Sequence, residues 1–278
     1  GASHALEIEW AEQIIRMVPC AEKVRFTSSG TEATLMAVRL ARAYTNRSKI
    51  VRFRTHFHGW NDHMAPGQAN HFDGSPTIGV INGIAENVIL VDPNDKAGVT
   101  AALSSNDIAA VILEPTGSST GMVPVAPGFL RFLRDETRSA DTLLIFDEVV
   151  TGFRVSPGGA QAEAGVTPDL ATFAKIVAGG LPGGAVAGRA DIFELLDFEA
   201  AASKGFEKIG HQGTYNANPV AAAAGIAALK IIETDGICEK ANLFGSCLRE
   251  RLNQEIAQAG LNWAAYGEHS TIHIFTNP

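Results

Sequence analysis

The sequence predicts an α/β fold: a mainly parallel central sheet with helices on both faces, followed by the start of a small C-terminal α+β domain. Short, continuous apolar runs of strand length recur along the chain, and helical stretches separate several of them. Runs that stay apolar on successive residues suit strands buried on both faces, as parallel strands are. Composition agrees. With 278 residues, 46% hydrophobic and 19% charged, the chain can bury a large core and is not a disordered, collagen-like or coiled-coil sequence.

The elements follow in order. Val24–Phe26 reads as a strand, and Ala33, Ala37, Leu40, Ala41 and Tyr44 then form one stripe of a helix. Strand-like runs come next at Lys49–Phe53, Asn87–Val91, Ala109–Leu113, Thr142–Phe146, Leu170–Phe173 and Ala185–Ala187, with a helix over Gly128–Ser139 after Pro127. Asn218 is placed to cap, and Pro219 to open, the Ala-rich helix Val220–Leu229. That helix is apolar nearly all round, so several of its sides are expected to be buried. The more polar segment Glu233–Gly260 and a strand-like Thr271–Phe275 follow. The expected division is residues 1–230 as a large domain and 231–278 as the beginning of a small one. A first residue that is not Met, and a last residue close behind a strand, make the sequence read as an interior piece of a longer protein.

Charge narrows the partners. Lys plus Arg number 22 and Asp plus Glu 30, a net charge of −8 without a basic block, which argues against a nucleic-acid binder. No apolar run approaches the ~20 residues of a membrane-spanning helix. The cysteines Cys20, Cys238 and Cys247 are odd in number and lack metal-type spacing. They suit buried or free thiols in a reducing compartment, so a cytoplasmic protein is expected.

In such sheets ligands bind beyond the carboxyl ends of the strands, so motifs there carry most weight. Ser28-Ser29-Gly30-Thr31-Glu32-Ala33 opens a helix with hydroxyls and a glycine, which suits a phosphate, although Ser and Thr are also ordinary helix caps. No lysine follows in P-loop spacing. The run Leu143–Phe146 ends in Asp147-Glu148; adjacent strand residues face opposite ways, so the two carboxylates should differ in role. One could hold a metal or a ring nitrogen, and the other could bond nearby backbone.

Lys175 stands at the end of an apolar strand before Gly179-Gly180-Leu181-Pro182-Gly183-Gly184. Partial desolvation there lowers an amine's pKa and makes it a nucleophile toward aldehydes, whereas a surface lysine would snorkel. The loop His56–His63 could pass for a metal cluster, but it lacks a carboxylate or cysteine at ligand spacing. It fits equally as an aromatic and imidazole lining for a ring-shaped cofactor. Glu114-Pro115 ends another buried strand, and Gly213-Thr214 precedes the Ala-rich helix as a phosphate contact or a turn.

In this order the motifs resemble the class III aminotransferases: Ser-Ser-Gly-Thr-Glu-Ala, Phe-His-Gly, Glu-Pro, Phe-Asp-Glu-Val-Val-Thr-Gly-Phe-Arg, Lys175 ahead of Gly-Gly-Leu-Pro, and Gly-Thr…Asn-Pro. These are fold type I enzymes that use pyridoxal 5′-phosphate (PLP), and the likeness is to glutamate-1-semialdehyde aminomutase-like members. It runs from about Glu7 to Phe275.

The resemblance implies a role for each matching residue. Lys175 would carry the cofactor as a Schiff base and shuttle a proton. Asp147 would pair with the pyridinium nitrogen. Ser29, Gly30 and Thr31 would hold the phosphate. Phe57, where many relatives have Tyr, would stack on one ring face and Val149 on the other, with His58 and Gly59 completing the loop. Glu114 would lie near the substrate side of the ring. Thr214 would reach the cofactor phosphate of a neighbouring subunit, making the active unit a homodimer. Substrates would be an amino donor and a keto acid or aldehyde acceptor. Family members extend further at both ends, where substrate-recognising residues can lie. Three alternatives stay open: a PLP decarboxylase or racemase, a magnesium-ATPase using Asp147-Glu148, and a non-catalytic relative.

Overall fold

A computed structural model describes residues 3–68, 71–75, 77–81 and 83–277. The N-terminal half contains α1 (Ala5–Met17), β1 (Lys23–Thr27), α2 (Gly30–Thr45), β2 (Lys49–Phe53), β3 (Val88–Val91), α3 (Lys96–Leu103) and β4 (Ile108–Leu113). A short α4 (Ser118–Gly121) and a two-residue β5 (Val123–Pro124) form a turn before α5 (Phe129–Ser139) and β6 (Leu143–Asp147). Then come α6 (Gly159–Ala164), β7 (Leu170–Ala174), β8 (Gly184–Gly188), α7 (Ala190–Phe193) and α8 (Phe198–Lys204). The chain closes with α9 (Pro219–Thr234), α10 (Ile237–Gln258) and the antiparallel pair β9 (Trp263–Tyr266) and β10 (His273–Thr276).

Seven strands form the main sheet in the order β1-β8-β7-β6-β4-β2-β3. From β7 to β3 every pairing is parallel; β8 alone runs antiparallel, to β7 on one side and β1 on the other. The reason is chain length. Only residues 175–183 join β7 to β8, fewer than the roughly dozen that a parallel crossover needs.

Alternate side chains of each strand feed two layers, as strand geometry requires. Ile50, Ile112 and Ile145 pack with Ala33, Ala37 and Leu40 of α2. Val51, Val111 and Leu144 pack with Val99 of α3 and Phe129 and Leu133 of α5. Farther along the sheet, Phe26, Phe173 and Ala187 pack with Trp10 and Ile14 of α1 and Ala222, Ile226 and Leu229 of α9. The nearly all-apolar α9, capped by Asn218 accepting the Ala221 amide, buries one face through Ala221, Ala222, Ile226 and Leu229, while Val220, Ala223, Ala227 and Ile231 are exposed, so burial on several sides is not what this chain shows. The Trp10 indole donates to the Val177 carbonyl at 2.9 Å, tying α1 to the turn that follows β7.

Candidate active site

The site is assembled where four parallel neighbours end. In sheet order, β7 is followed by Lys175, β6 ends on Asp147, β4 is followed by Glu114, and β2 leads into Phe57, His58 and Gly59. Across them lies the first turn of α2. A cavity of about 410 Å³ is lined by all of these residues together with Gly30, Thr31 and Val149. Nine of the eleven residues singled out from the sequence thus meet at one place.

Local geometry follows from small residues. A Cβ on Gly30 would stand 2.9 Å from Val149 Cγ2, and one on Gly59, whose φ is +89°, would stand 2.6 Å from Thr31 Oγ1. These two glycines therefore let the helix start and the His58 loop close on the cavity. Ser29 is the N-cap of α2, its Oγ accepting the Glu32 amide at 3.3 Å, and it does not itself line the cavity. The first amides of the helix, at Gly30 and Thr31, have no intrahelical acceptor and carry the positive end of the helix dipole.

The two adjacent carboxyls diverge in role. Glu148 is buried and accepts from the amides of Ala160 (2.7 Å) and Gln161 (3.0 Å), the Gln161 side chain (3.1 Å) and the Thr151 hydroxyl (2.8 Å). It is consumed in shaping its own loop, which removes the paired-carboxylate arrangement a magnesium-ATPase would need. Asp147 faces the cavity. Its Oδ1 accepts from the Val149 amide and the Thr172 hydroxyl, both at 3.1 Å, and His58 Nδ1 lies 2.7 Å from its Oδ2. Burial pushes Asp147 up to about 6, against those donors and the charges of Lys175 and Arg52. Burial, with the Arg52 charge added, holds His58 well below the ordinary imidazole range. At neutral pH the pair is therefore an anion beside a neutral imidazole.

Lys175 opens a single 3₁₀ turn with φ +52°, a left-handed conformation. Burial lowers its amine's pKa; Asp147 opposes the shift and Arg154 adds to it. An amine so placed has more of its neutral, nucleophilic form. Glu114 Oε1 accepts the amides of Phe57 (2.7 Å) and Ser119 (2.9 Å), so this carboxylate fixes the Phe57 loop to the turn after β4.

His56 and His58 lie in the loop that follows β2. His56 Nδ1 accepts the Glu114 amide at 3.0 Å, and no cluster able to hold a metal occurs among the described residues. Thr214 is exposed and lines a separate cleft with Arg25 and His211. The cavity wall also includes Thr34, Ser119, Val150, Thr151 and Ala174, which sequence reasoning did not single out. Thr34 was accessible to it: three residues after Thr31, it shares the helix face that presents Gly30 and Thr31.

The profile of class-III aminotransferases matches residues 2–261. The chain belongs to the class-III aminotransferase family. This class III chain is 41% identical over 256 residues to the glutamate-1-semialdehyde 2,1-aminomutase of Sulfolobus acidocaldarius, covering 91% of itself and 59% of that relative. The enzyme of the same name from Methanothrix thermoacetophila is 40% identical, over all of this chain and 64% of its own length. Among solved structures, an omega-transaminase from Sphaerobacter thermophilus superposes with a TM-score of 0.89 at 34% identity, over all of this chain and 65% of that one. A structure described as a transaminase with PLP bound gives 0.90 at 33% identity, again over all of this chain and 65% of that one. The fold is therefore fold type I. The chain spans about three-fifths of the length of these relatives.

Proposed function

We propose that this chain forms the cofactor-binding part of a PLP-dependent enzyme. The reaction is amino-group transfer between an amino acid or amine and a keto acid or aldehyde, or the same transfer within one molecule, as in an aminomutase. The observation that carries this reading is the meeting of Lys175 and Asp147 at adjacent strand ends of one cavity. Family membership and the similarity to a transaminase with PLP bound support it.

The residues fit the group. The α2 N-terminus, with Gly30 and Thr31 at its first amides, would receive the phosphate; the close approach at Gly59 leaves no room there for a side chain. Phe57 and Val149 would flank the ring, and Asp147 would hold the ring nitrogen. Lys175 would hold the aldehyde carbon. Bound there, PLP supplies an electron-accepting ring that stabilises negative charge on the substrate's α-carbon. Lys175 Nζ would be the base that takes the α-proton and returns it. Residues 231–278 we take as the beginning of the small domain.

The working unit we infer is a homodimer. Thr214 lies outside its own cavity, and its loop is pinned by Arg25 to His211 and by the Ser28 hydroxyl to Asn216 at 3.0 Å. Its neighbours Tyr215 and Val220 are 72% and 70% exposed, so the arm presents apolar surface to a second copy. No helix among the described residues is long and apolar enough to cross a membrane, and the three free thiols suit the cytoplasm.

The test is borohydride reduction after PLP addition, followed by peptide mass analysis. Label on Lys175 is expected; label on a different lysine, or none, overturns the assignment.

A further inference from the structure

We propose that Arg52 is a positioning residue of the cavity: its buried guanidinium clamps the loop that carries Phe57, and its charge stands beneath Asp147 and Glu114. Strand register puts it there. Arg52 on β2 pairs with Ile112 of β4, and Ile112 pairs with Ile145 of β6. Glu114 and Asp147 come two residues after those partners. All three charged side chains therefore leave the sheet on the face that packs against α2. Arg52 sits one step farther from the strand ends, below the residues that line the cavity.

The side chain is held as a clamp and not as half of an ion pair. Fully buried, it donates through Nη1 to the Met64 carbonyl and through Nη2 to the His56 carbonyl, and those two residues bracket the loop. Nε is buried with no hydrogen-bond partner among the described residues. Arg134, the other deeply buried guanidinium, meets Asp169 at 2.8 Å; among the described residues Arg52 makes no such pair. One strand residue thus fixes both ends of the loop. Between them, Gly59 turns with φ +89° and the His58 carbonyl accepts the Thr34 hydroxyl at 2.7 Å.

A buried cation without an anion in contact costs stability, so loop closure comes at a penalty that the fold alone does not require. Burial lowers Arg52 to about 10, and Glu114 and Asp147 oppose that shift, so it is a cation at neutral pH. The coupling is mutual. The Arg52 charge helps to hold Asp147 below the level to which burial alone would raise it, and it opposes protonation of His56 and His58. The charged and titratable groups around Asp147 are Arg52 on β2, His56 and His58 on the loop, Glu114 after β4, Lys175 after β7, and Glu148, which is bound into its own loop. Removing the guanidinium would release the loop and let Asp147 take up a proton at higher pH.

This role rests on the functional reading only for its consequence, since both effects are measured in cofactor-free protein. The experiment follows the Asp147 carboxyl band by infrared difference spectroscopy against pH, with Asp147→Asn identifying the band, and amide hydrogen exchange in residues 57–63. Wild type should titrate near 6. Arg52→Met should raise the midpoint by about 0.5–1 pH unit, the scale of one lost nearby charge, and speed loop exchange about tenfold. Arg52→Lys keeps the charge and should leave the midpoint near wild type, a rescue that a merely structural role does not provide. If Met prevents folding, Arg52→Gln replaces it as the neutral variant. A folded neutral variant with an unshifted midpoint overturns the proposal. So does an equal shift in the Lys and neutral variants, or loop exchange at the wild-type rate in the neutral one. Failure of wild type to bind PLP would defeat the functional reading and leave both measurements intact.

Discussion

Strand β7 begins beside a carboxylate and ends beside an amine, and the two ends are built on opposite rules. At its start, Asp169 accepts Arg134 Nη1 and the Leu144 amide on Oδ2, both at 2.8 Å, and Arg189 Nη1 on Oδ1 at 3.0 Å. Arg189 also meets Asp191, which accepts the Tyr44 hydroxyl, both at 2.6 Å. Each of these charges, from the buried Asp169 to the exposed Asp191, has an opposite charge in contact. At the other end, Asp147 has neutral donors, and Lys175 makes no ion pair among the described residues. One end spends its polar groups on holding the fold. The other leaves them perturbed, and perturbed groups in a cavity are what proton and amine chemistry uses.

The largest effect should come from breaking the closed end. Asp169→Ala leaves Arg134 buried without its anion and should destabilise the protein by about 3–5 kcal/mol in urea or thermal unfolding. A loss below about 1 kcal/mol would show that the network is not holding the fold. The open end should respond with the opposite sign. Burial raises Asp147 to about 6, above the ~3.9 of an unfolded aspartate, so the folded protein binds the proton more tightly. Stability therefore falls as pH rises through that interval, and the penalty is fully present above it. Asp147→Asn in cofactor-free protein should gain about 1–3 kcal/mol at pH 8 and nothing at pH 4. No gain at pH 8 would remove the contrast between the two ends. Thr214→Ala, which belongs to neither end, should change folding least. It should weaken PLP binding by about 1–3 kcal/mol through a lost contact to a charged group. An unchanged dissociation constant would place Thr214 away from the phosphate.

What could be read from sequence tracks how local each cause is. The strand runs, the α2 and α9 caps, Asp147 and Lys175 each carry a signal within a few residues. The layout of the site was accessible too, because motifs at the carboxyl ends of parallel strands must converge. Arg52 was not: inside Lys49–Phe53 it looks like an interruption of an apolar run, and its acceptors, the carbonyls of His56 and Met64, become apparent only once the loop folds back. The Arg134–Asp169–Arg189 network joins residues 20 to 35 positions apart, with no periodicity to announce it. Ser119 enters the cavity through a left-handed backbone, φ +43°, which a serine codon does not advertise.

The left-handed turn at position 175 sets folding against chemistry. Glycine adopts φ +52° with no Cβ penalty, whereas for lysine this region costs about 1 kcal/mol. Left to stability alone, substitution at that codon would drift toward glycine, and the amine would be the first part of the site to disappear.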